Sequence, residues 1–106
     1  MVDLVRIRAR VAAGYLVAAA VDRTEPLAGW HALSTPQRTV FVSDMIMRLA
    51  ERSAIPLLFA ATRMTADGRI VTNFVRPTAA RAECMLHEFS RFLRSELACD
   101  DQIAQV

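Results

Sequence analysis

Apolar residues along this chain follow more than one period. From Val2 to Asp22 they recur at helical spacing on two sides. Leu4, Ile7, Val11 and Tyr15 form a face of large side chains. Val5, Ala9, Ala12, Leu16, Ala19 and Ala20 form a second face, mostly of small ones. Arg6, Arg8 and Arg10 alternate with apolar residues, which by itself also fits a strand, but the Ala content of the stretch favours a helix. The pattern therefore predicts a helix over 2–22. A helix that is apolar on two sides is buried on two sides. One face is expected to be covered by the chain's own domain. The other, through Val5, Ala9, Ala12, Leu16 and Ala19, is expected to be covered by a second copy.

Residues 23–36 read as a loop punctuated by Pro26, Gly29, Ser34, Thr35 and Pro36. Ser34-Thr35-Pro36 has the form of a helix start, a hydroxyl cap followed by proline in the first turn. The helix it opens is expected to reach Ser53, with an apolar stripe of Val42, Met45, Ile46, Leu49 and Ala50. Asp44 and Arg48 should pair on the solvated side.

After Pro56 the pattern shortens to two strand-like runs, IPLLFAATRM and RIVTNFVR, flanking Asp67-Gly68. That dipeptide supplies the positive φ of a tight turn and predicts an antiparallel hairpin. Pro77 opens a last helix to about Ala98, with Ala82, Leu86, Phe89, Leu93 and Leu97 as its core stripe and Met85 and Phe92 beside it. The resulting expectation is an α+β fold of three helices and one antiparallel β-hairpin, in the order α-α-β-β-α. It forms one domain over residues 1–106, with 99–106 a frayed tail.

Composition narrows the picture without adding a motif. With 106 residues and 54% hydrophobic content, a core needs no metal or disulfide. The net charge of +2 is too small to imply a nucleic-acid partner by itself. All thirteen basic residues are Arg, which fits a GC-rich bacterial or phage genome. Cys84 and Cys99 are fifteen positions apart. On one helix that is about 22 Å along the axis, too far for a disulfide, so free thiols and a cytoplasmic setting are expected. The opening RIRARVAAGYLVAAAV has the order of an export signal, but Asp3 and the weakly hydrophobic Ala run argue for a retained helix. Its uncharged stretch is also short of the roughly 20 residues of a membrane span, so no membrane partner is expected.

Candidate chemistry is sparse. Cys84, His87, His31 and Cys99 lack the paired short spacings of a zinc site, and Glu83, His87 and Arg91 read as a solvated helical ladder. No phosphate loop, dinucleotide fingerprint or nucleophile elbow is present. No enzyme activity, cofactor or metal is expected. LSTPQRTVF at Leu33–Phe41 resembles the opening of helix-turn-helix modules of the LuxR or MarR kind. That resemblance implies DNA binding, yet a winged helix needs a recognition helix before its wing, and Ser53–Pro56 leaves no room for one. The other route to DNA is the hairpin itself, as a ribbon bearing Arg63, Arg69 and Arg76. The leading expectation is a small regulatory, adaptor or inhibitor protein that binds another protein and forms a homodimer. Its partner-binding residues would be Trp30, His31, Arg63 and Arg69, with Trp30 either a plug over the core or an exposed anchor.

Overall fold

In a computed structural model that describes residues 4–35 and 38–104, the chain divides into two compact units, Met1–Pro56 and Leu57–Val106. The element order is α-β-β-β-α-β-β-α, with the five strands in two separate sheets. The expected α-α-β-β-α order is thus corrected in the first half of the chain.

The first unit begins with helix α1, Leu4–Ala12. It is shorter than the periodicity suggests because Gly14 adopts φ +92°, a conformation nearly free for glycine. The Tyr15 N–H donates to the Arg10 carbonyl at 3.0 Å and the Gly14 N–H to the Val11 carbonyl at 3.0 Å. These two bonds are a Schellman cap, which closes a helix. Leu16 and Ala19 therefore lie beyond the helix and do not continue its small-residue face, as had been expected.

Two strands occur where a loop was expected: β1, Asp22–Arg23, and β2, His31–Ser34. The third, β3, Thr39–Val42, replaces the first turns of the expected second helix. All pair antiparallel in the order β1-β3-β2, with Leu33 opposite Val40 and His31 opposite Val42. The run Thr-Val-Phe-Val has three β-branched residues and an aromatic, a composition that packs better on a pleated surface than on a helix. Thr35 serves a turn instead of a helix start. Its backbone N–H donates to the Arg38 carbonyl at 2.9 Å, and its hydroxyl accepts from the Arg38 N–H at 3.1 Å. Pro36, the other half of the expected helix start, lies outside the described residues.

Helix α2, Met45–Ser53, starts only after the sheet. Ser43 Oγ accepts the Met45 N–H at 3.2 Å. The expected Asp44–Arg48 pair is present at 3.0 Å. Leu33, Val40, Val42, Met47, Leu49 and Ala50 are buried, Val42 to 1% exposure. The helix ends in a left-handed residue that is not glycine: Ala54 has φ 52°, and the following Ile55 N–H reaches the Ala50 carbonyl.

The second unit matches the sequence pattern closely. Strands β4, Phe59–Met64, and β5, Ile70–Val75, form the expected hairpin. Its turn is closed by the Gly68 N–H on the Thr65 carbonyl at 3.0 Å, with Gly68 at φ +85°. Helix α3, Ala82–Ala104, packs against β4; it starts five residues after Pro77, where it was expected to open, and runs past the expected end near Ala98. Of its expected core stripe, Ala82, Phe89, Leu93 and Leu97 are buried, as is the flanking Met85. Phe59 stands edge-on to Phe89 with centroids 5.1 Å apart and lies 6.1 Å from Phe92. Aromatic groups at such separations gain from their quadrupoles as well as from burial. Before α3, the Glu88 carboxylate reaches back and accepts the N–H groups of Thr78 (2.8 Å) and Ala79 (3.1 Å) and the Thr78 hydroxyl. The Thr78 hydroxyl first, and then the backbone donors, hold this carboxyl below its ordinary range.

Candidate functional site

The register of the hairpin sorts its side chains onto two faces. Phe59, Ala61 and Arg63 on β4 share a face with Val71, Asn73 and Val75 on β5. Ala60, Thr62 and Met64 share the other with Ile70, Thr72 and Phe74. A solvated hairpin ordinarily turns its polar residues outward. Here the face that carries a charge is turned toward α3. Arg63 Nε lies 3.6 Å from Glu96 Oε2, with the two side chains only 21% and 13% exposed. Asn73 Nδ2 donates to Glu96 Oε1 at 2.9 Å. Arg63 and Asn73 are thus half-buried beside one glutamate of α3, with Arg63 Nε and Glu96 Oε2 too far apart to share a hydrogen bond.

The outward face has no charged residue at all. Met64 is 62%, Ile70 70% and Phe74 64% exposed, and Leu58, just before β4, is exposed as well. Between these apolar pairs the Thr62 and Thr72 hydroxyls meet at 2.9 Å. Sequence reasoning missed this face. The signal was present, since Leu58, Ala60, Thr62 and Met64 alternate without a charge.

The residues singled out from the sequence fall in different places. Arg63 belongs to the inward pair. Arg69 is exposed at the turn, where its Nε lies 2.8 Å from Asp67 Oδ2. The Thr65 hydroxyl donates to the same Asp67 carboxylate, the first cause of its lowered pKa. Trp30 is half-buried, with the Arg23 guanidinium 5.7 Å from its ring centroid. It is neither a fully buried plug nor a free anchor. His31 is exposed on β2, its Nε2 3.2 Å from Asp44 Oδ2. The structure therefore groups His31 with Asp44 and Arg48, while Arg63 and Arg69 lie on the hairpin of the other unit.

On α1, Ile7 and Val11 are half-buried, whereas Val5, Ala9 and Ala12 are exposed. These last three line one side of an open cleft of about 530 Å³, with Arg8 beside them and Ser53–Pro56 opposite. Leu16 and Ala19 are exposed in the extended segment after the helix. Cys84 is an exposed free thiol, and the backbones of positions 84 and 99 lie on one continuous helix. Among the described residues no three His, Cys, Asp or Glu side chains converge to hold a metal ion. Among them, too, no helix is long and apolar enough to cross a membrane. No family model matches this chain, and neither the curated proteins nor the solved structures contain a match.

Proposed function

We propose that this is a small, non-enzymatic regulatory, adaptor or inhibitor protein of bacterial or phage origin that acts in the cytoplasm by binding another protein. One observation carries the reading: the hairpin turns its charged face inward and its uncharged, apolar face outward. Holding Arg63 half-buried costs desolvation that its pairing with Glu96 offsets only in part. Covering Met64, Ile70 and Phe74 would return roughly 1.5–3 kcal/mol for each side chain removed from water. A contiguous exposed apolar face of this kind marks a contact surface. The exposed Val5, Ala9 and Ala12 on α1 add a second apolar surface and support self-association as part of the same reading.

The alternative, a hairpin ribbon that grips nucleic acid, has less support. Arg63 and Arg69 both hold ion pairs within the chain, and between Arg69 and Arg76 the outward face is apolar.

Affinity capture from cells that express the protein tests the reading with two baits, the natural chain and a Met64→Glu, Phe74→Glu variant. A protein retained by the first and lost by the second is the expected result. Identical prey on both baits would remove this face from the account.

A further inference from the structure

We infer that the chain pairs with a second copy of itself along the free edge of β5, antiparallel, about a two-fold axis at Thr72. This rests on the protein-contact reading above and adds a partner for the edge of the hairpin that bears that face.

Strand β5 pairs only with β4 among the described residues, so its other edge has no strand beside it. Natural sheet edges are commonly protected by charge, proline, a bulge or a covering element. Ile70–Val75, IVTNFV, has no charge, no proline and no glycine. Strand β4, by contrast, carries the inward-pointing charge of Arg63, one of the devices that protect an edge.

The register fixes which backbone groups face outward. The Thr65 N–H donates to the Arg69 carbonyl at 2.7 Å, so Thr65 and Arg69 are a bonded pair. In an antiparallel ladder bonded and non-bonded pairs alternate. Met64–Ile70, Thr62–Thr72 and Ala60–Phe74 are then the non-bonded pairs. The short hydroxyl contact between Thr62 and Thr72 fits that assignment, because non-bonded pairs bring side chains closer. Ile70, Thr72 and Phe74 accordingly aim their N–H and C=O groups away from β4.

Those groups are self-complementary. A two-fold axis perpendicular to the sheet keeps each face on its own side. With Thr72 opposite the partner's Thr72, Ile70 lies opposite the partner's Phe74, and Phe74 opposite the partner's Ile70. Aromatic and β-branched residues are favourable cross-strand neighbours. The same register sets Arg76, which has no ion pair among the described residues, opposite the partner's Gly68 and beside the partner's Asp67. A strand overlap this short lies at the low end of interface sizes, so the dimer belongs in the micromolar range.

The test is sedimentation equilibrium from about 1 to about 200 μM, the range in which so small an interface should associate. The natural chain should pass from monomer to dimer. Thr72→Lys and Thr72→Glu each set like charges directly across the axis and should each weaken the dimer about tenfold or more. Mixing the two variants should restore a heterodimer. Thr72 is exposed, and circular dichroism checks that both variants stay folded. In the unmodified protein, amide exchange at Ile70, Thr72 and Phe74 should slow as concentration rises. A natural chain that stays monomeric throughout overturns the inference. So does a dimer indifferent to Thr72→Lys whose exchange at 70–74 ignores concentration, since that dimer pairs elsewhere, for example through α1. A monomer that still captures a protein through Met64 and Phe74 defeats self-pairing alone. A β5-paired dimer that captures nothing defeats the wider reading alone.

Discussion

Replacing Glu96 by Ala should destabilise the second unit, and the reason lies in two residues that it leaves behind. Arg63 would keep its place under α3 without a counter-charge, and Asn73 would lose the acceptor of its 2.9 Å bond. At 3.6 Å the Arg63–Glu96 attraction is gross about 5 kcal/mol at an effective dielectric of about 20. Most of that is offset by the cost of taking both groups out of water. The two side chains keep 21% and 13% exposure and the paired atoms share no hydrogen bond, so the loss falls between that of a surface pair and that of a buried one, about 1–3 kcal/mol. Arg63→Ala should cost about 2 kcal/mol, since Asn73 still donates to the stranded carboxylate. An Arg63→Met, Glu96→Leu double variant should lose less than the two single changes added together, about 1–2 kcal/mol, because no charge is left uncompensated and only Asn73 is left without its acceptor. Urea unfolding followed by circular dichroism is the assay, as α3 is the longest helix while the single Trp, Trp30, belongs to the first unit. Single-variant losses below about 0.5 kcal/mol, or losses that simply add in the double variant, would refute this account of why the hairpin faces as it does.

Other consequences follow from local geometry. Ala54→Gly should stabilise the chain by about 0.5–1 kcal/mol in thermal or urea unfolding, because a left-handed residue with a Cβ costs about 1–2 kcal/mol and glycine gives back part through its unfolded-state entropy. Phe59→Ala should cost about 3–4 kcal/mol in the same assay, since Phe59 sits at 4% exposure against Phe89 and Phe92. Glu88 contributes stability that is fully present above its ordinary carboxyl range. That contribution is lost as pH falls through the lowered folded value, so Glu88→Gln should flatten the acid limb of a stability–pH curve and leave its neutral slope unchanged.

The second unit was legible in the sequence because its signals are local and agree with one another. Asp67-Gly68 fixes the turn, alternating β-branched residues fix the strands, and the stripe from Ala82 to Leu97 fixes the helix. The first unit was not, because two periods compete there. Val42 stands at helical spacing from Met45, Ile46 and Leu49, yet the preceding Thr39, Val40 and Phe41 belong with it on a strand. Gly14 sits inside an Ala-rich run whose composition outweighed it in the reading, though one glycine with a free positive φ is enough to end α1. The candidate site was hidden for another reason. Both faces of the hairpin are largely apolar, and what decides between them is Glu96, twenty-three positions beyond Asn73. No local pattern on the strands announces that partner.

The central claim is that a protein partner covers the outward face of the hairpin. Its most direct test is an amide-exchange footprint of the chain alone and in complex with a protein captured by it. The account predicts new protection concentrated at residues 60–64 and 70–74. Protection confined to residues 31–48, around His31, Asp44 and Arg48, with the hairpin unchanged, would contradict it.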